Sequence, residues 1–125
     1  MKRNEHTFQF TGKQIADAAK AECSYHRERL TYWQVQQETA ITDAKTAGVT
    51  VQEIAVTGGK RVQMYADQRI QERLSIAGSK IDAHRVAADR FQIEAAAYAT
   101  QADRAYELHP DDIVYFRLAG GQRED

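Results

Sequence analysis

Cys23, His26 and His84 are the side chains best suited to chemistry, because thiolate and imidazole are ligands for transition metals and Cys23-x-x-His26 has a spacing that one helix face can present. A zinc site needs a third or fourth ligand. No second C-x-x-C or C-x-x-H accompanies the pair, so Cys23, His26 and His84 are only weak metal candidates and no metal is expected. The alternative is a buried polar layer in which His26, His84 and Gln37 hydrogen-bond to one another or to water and set the register of packed helices. Glu22 precedes His26 by four residues, whereas carboxylate-bridged di-iron bundles place Glu and His three apart on two helices. Cys23 and His26 also lack the orienting acid and oxyanion loop that a thiol nucleophile requires. Gly58-Gly59-Lys60 lacks the G-x-x-x-x-G-K-[ST] pattern of a phosphate loop. Asp111-Asp112 reads as a solvated turn after Pro110. No catalytic residue and no cofactor follow from these motifs, and the protein reads as a non-enzyme.

Composition narrows the function classes further. The chain has 125 residues, 17 basic and 18 acidic side chains and a formal net charge of -1, which fits one domain. The basic residues are interleaved with acids, as in Arg85 with Asp89 and Arg90 with Glu94, so no nucleic-acid partner is expected. The opening MKRNEHTFQF lacks the apolar run of a signal peptide, and no stretch reaches the roughly 20 apolar residues of a membrane span. One cysteine allows no internal disulfide. No membrane partner and a cytoplasmic location are therefore the expectations.

Alanine dominates the apolar residues, with 20 alanines against 4 leucines, and alanine is both the best helix former and the smallest apolar side chain. Closely packed helices follow. Pro110 is the only proline, so nothing before it forbids long helices. Thr11-Gly-Lys-Gln14 has the spacing of a capping box, and a 4-3 alternation then runs through Ala19, Cys23, His26, Leu30, Trp33, Gln37, Ala40, Ala44 and Ala47 until Gly48 stops it. The first helix is predicted over 11–47. The second seam, Ile70, Leu74, Ala77, Ile81, His84, Ala88, Phe91, Ala95, Tyr98, Ala102 and Ala105, predicts a helix over 67–108, capped by Asp67 and ended before Pro110. Between them, Ile54 and Val56 alternate with polar or small residues as do Val62 and Met64, and Gly58-Gly59 suits a tight turn, so 49–65 is predicted as a β-hairpin. Phe8-Gln9-Phe10 and the β-rich 113–118 are predicted as short terminal strands that pair with each other, followed by a flexible tail over 119–125.

The fold class expected is mainly α: a long antiparallel two-helix hairpin, coiled-coil-like, with a short β-hairpin at its tip and short terminal strands. Antiparallel pairing joined through 47 and 67 places Leu30 opposite His84, His26 opposite Ala88 and Ala19 opposite Ala95. A second apolar stripe lies off this seam, at Tyr25, Tyr32 and Val35 on the first helix and at Val86, Ile93 and Ala97 on the second. A lone hairpin offers each helix only one partner face, so these six residues are predicted as an interface that assembles copies of the chain into a homodimer or larger multi-helix bundle. Helix, β-hairpin, helix over residues 11–108 is similar in layout to a prefoldin subunit, which implies a structural, adaptor or chaperone-like protein working through itself or another protein. Two alternatives stand beside it: a bundle binding a metal or small ligand near Cys23, His26 and His84, and a phage-like or secretion-linked assembly component.

Overall fold

The computed structural model describes residues 7–49, 51–55 and 61–118. Their order is β1 (Phe8–Thr11), α1 (Gly12–Thr46), β2 (Val51–Ala55), β3 (Arg61–Tyr65), α2 (Gln68–Ala99), β4 (Ala105–Leu108) and α3 (Pro110–Phe116). The protein is mainly helical, and α1 and α2 pack against each other.

Local chemistry accounts for the helix ends. The Gln14 backbone N–H donates to Thr11 Oγ1 at 3.2 Å while the Thr11 N–H donates to Gln14 Oε1 at 2.8 Å, so the predicted capping box closes in both directions. At the other end Gly48 adopts a φ of 68°, its N–H bonds to the Lys45 carbonyl at 3.2 Å, and the Val49 N–H reaches the Ala44 carbonyl at 2.9 Å. That is a Schellman stop, which glycine allows without strain. Asp67 caps α2 through a 3.1 Å bond from the Ile70 N–H to Oδ1.

Residues fall into two compact units by their contacts, Met1–Arg27 with Arg85–Asp125 and Glu28–His84, so α1 and α2 each contribute one portion to each unit. In the first unit, Ile15, Ala19, Cys23, Ala88, Phe91, Ala95, Leu108 and Phe116 form the buried cluster. Strand β1 pairs antiparallel with β4, Phe8 opposite Leu108 and Thr11 opposite Ala105. Phe10 and Tyr106 then pack against the cluster, which gives the two-stranded ribbon the apolar support it needs. In the second unit, Ala40, Ala44, Ile70, Ala77 and Ile81 are buried, and β2 pairs with β3 antiparallel from Val51 opposite Tyr65 to Ala55 opposite Arg61. The Gly58-Gly59 turn and the predicted tail at 119–125 lie outside the described residues.

Two expectations are corrected. The second helix stops at Ala99 rather than 108, because residues 105–108 supply the backbone partners of β1. Thr100 Oγ1 bonds the Ala97 carbonyl at 2.7 Å and the Gln101 N–H turns back to Tyr98. The predicted strand over 113–118 is largely helix α3. Pro110 at the first helical position, acids at 111 and 112, and a 3.1 Å bond from the His109 N–H to Asp112 Oδ2 make a helix start that outweighs the β preference of Ile113 and Val114. Arg117 ends α3 in the left-handed region, at φ 55°. The His26 ring stacks on Phe91, one turn along α2 from Ala88.

Candidate functional site

In the first unit the His26 ring lies parallel to Phe91 with centroids 5.7 Å apart, and Tyr25 meets it edge-on at 5.0 Å. Phe91 continues the stack to Tyr115 at 4.8 Å. His26 Nε2 is 3.9 Å from Glu22 Oε2, and Glu22 Oε1 is 3.9 Å from Arg117 Nε. Glu22 is buried, which a carboxylate tolerates only when facing donors or cations. It therefore ties α1 to the residue that terminates α3. His84 and Gln37 are half-buried and belong to the second unit.

The metal candidates do not assemble into a ligand set. Cys23 is buried, and its sulfur accepts a 3.2 Å hydrogen bond from Arg27 Nε. That bond to sulfur holds the Arg27 guanidinium above its ordinary pKa. Among the described residues no group of three or more His, Cys, Asp or Glu side chains converges as a metal site.

The predicted interface residues divide. Tyr25 is half-buried against His26, while Ala97 is exposed and Val86 and Ile93 are 58% and 70% exposed on α2 of the first unit. Tyr32 at 45% and Val35 at 53% are open to solvent on α1 of the second unit. Tyr32 there meets Trp33 edge-on at 5.1 Å, and the Arg29 guanidinium lies 4.3 Å from the Tyr32 ring centre. A cavity of about 290 Å³ opens between Tyr32, Trp33, Gln36, Arg73 and Ile76, and a 2.9 Å ion pair to Asp43 holds Arg73 at its edge. Arg29, Arg73 and Ile76 escaped the sequence reading. Ile76 follows Arg73 by three residues on the helix rim, and that off-seam spacing was the available signal.

No described helix is long and apolar enough to cross a membrane. No protein-family model matches the chain, and neither does any curated protein or solved structure with which it was compared.

Proposed function

We propose that the protein is a non-enzymatic structural or adaptor component that works by self-association, with the aromatic face of the second unit at the centre of the contact. The observation that carries this reading is the grouping of Tyr32, Trp33, Gln36, Arg73 and Ile76 around one open cavity, with the Arg29 guanidinium against the Tyr32 ring. Tyrosine, tryptophan and arginine are the residue types that dominate binding energy at protein interfaces, where a pocket receives an anchor from the partner. Val35 and Ile76, each 53% exposed, widen the apolar area on the same unit.

Light scattering coupled to size exclusion tests the proposal. A mass of at least two chains is expected at micromolar concentration, and Tyr32→Glu is expected to shift it toward one chain, because a charge in an interface loses hydration without gaining a partner. Circular dichroism of that variant should match the parent, since Tyr32 is exposed. A monomeric parent overturns the proposal.

A further inference from the structure

The first unit holds an open cavity of about 510 Å³ along the seam between α1 and α2, within the range of about 300–1,000 Å³ that small-molecule sites occupy. Its walls are one stripe of each helix. Residues 20, 23, 24 and 27 line it from α1 and residues 92, 95, 96 and 99 from α2, both at the spacing that stacks side chains on one helix face. Ala95, Ala96 and Ala99 make an apolar wall, and their small size leaves the space open.

The charged groups are of one sign. Lys20 and Arg27 line the cavity, and no acidic side chain does among the described residues. Seven residues apart on one helix, they stand about 10 Å apart along its axis, one toward each end of the apolar wall. Arg27 is held in place from both helices: its Nε donates to Cys23 Sγ at 3.2 Å and its Nη2 donates to Gln92 Oε1. A guanidinium fixed in this way is a preorganised partner for an anionic head group. Asp89, which also acts on Arg27, lines the neighbouring depression instead.

We propose that this cavity binds a small anionic amphiphile, with its carboxylate or equivalent head group against Lys20 or Arg27 and its apolar body along Ala95, Ala96 and Ala99. The site goes beyond the self-association reading and does not depend on it.

Three ligands of equal chain length, octanoate, octanol and octylammonium, separate charge from hydrophobicity when titrated by calorimetry against the full chain. Octanoate is expected to bind at least about tenfold more tightly than octanol, and octylammonium more weakly than either. Alanine-methyl NMR should show the octanoate-dependent shifts at Ala95, Ala96 and Ala99. At least one of Lys20→Gln and Arg27→Gln should reduce octanoate affinity and leave octanol affinity unchanged, which identifies the end that holds the head group; Lys20 is exposed and makes none of the helix-crossing bonds of Arg27, so its variant reads the charge alone. Ala96→Leu should weaken octanoate and octanol alike by filling the space. Equal affinity for the three ligands, methyl shifts elsewhere in the chain, or unchanged octanoate binding in Lys20→Gln and Arg27→Gln would each overturn the proposal.

Discussion

The two units share the same pair of helices and differ in what covers them. In the first, β1, β4 and α3 add a layer: Leu108 and Phe116 are buried with Ile15 and Phe91, and Tyr98, Tyr106 and Ile113 pack around them. In the second, the buried apolar side chains among the described residues are three alanines and two isoleucines, and Tyr32, Val35 and Ile76 face solvent. Where the chain supplies its own third layer, Phe91 and Phe116 go inside. Where it supplies two helices and a hairpin, Tyr32 faces solvent and Trp33 is half-buried.

Deleting the ring at the centre of the first unit gives the largest expected effect. Phe91 is 5% exposed and touches His26, Tyr115 and Phe116, so Phe91→Ala should cost about 3–5 kcal/mol. Tyr32→Ala in the second unit should leave the stability of the monomer within about 0.5 kcal/mol, since it removes an exposed ring. Urea melts of the two variants measure the contrast directly. Similar losses would mean that the rings of both units stabilise the chain equally.

The junction where α1 begins is the next most sensitive point. A Cβ built on Gly12 would lie 2.2 Å from the Gln101 carbonyl oxygen and 2.8 Å from that of Tyr98, while its N–H bonds to the Arg104 carbonyl at 2.9 Å. Gly12→Ala must therefore push apart the start of α1 and the turn after α2, at about 1–3 kcal/mol. Gly78, also in a helix but in the second unit, has nothing within 4 Å of such a Cβ, and Gly78→Ala should stabilise by about 0.4–1 kcal/mol through helix propensity. Thermal melts of the two glycine variants should move in opposite directions.

Both seams were legible in the sequence because their periodicity is long. All positions of the two seams are buried or half-buried except Ala47 and Ala105, which lie beyond the helices. The capping box at Thr11, the Gly48 stop and the Asp67 cap were equally readable, each being a local interaction between near neighbours. Residues 100–108 were not. Ala102 and Ala105 there continue the heptad, no glycine or proline breaks it, and only the distant pairing with β1 decides for a strand. Residues 110–116 misled for the opposite reason: their β-branched and aromatic side chains masked a helix start already written in Pro110, Asp111 and Asp112. The candidate site was half legible. Tyr32 and Val35 stood off the seam, and Arg29 reaches Tyr32 from three residues away on the same helix, but Arg73 and Ile76 join them only through the packing of the second unit.

Ala95→Leu sharpens the comparison of the helix seams. Ala95 belongs to the first unit's buried cluster and also lines the open cavity, and a leucine kept on the cluster side is overpacked, so a loss of about 1–3 kcal/mol is expected. A raised melting temperature would instead show that the adjoining cavity takes up the leucine.

The smallest effect is a pH dependence confined to the first unit. Tyr98 and Tyr115 both have phenol pKa values raised above the ordinary 10.0, first by burial and then by the Glu94 carboxylate beside them. Raised folded values mean that between the ordinary value and the folded one the unfolded chain has released protons that the folded chain still holds. Stability from these phenols is therefore complete below pH 10 and is lost as pH rises through the folded values. Ultraviolet difference titration should show two tyrosines ionising later than the others, and Glu94→Gln should bring both back toward the ordinary value. Replacing both by phenylalanine should flatten the alkaline decline. A decline as steep as the parent's would place its origin in the lysines, which titrate over the same range.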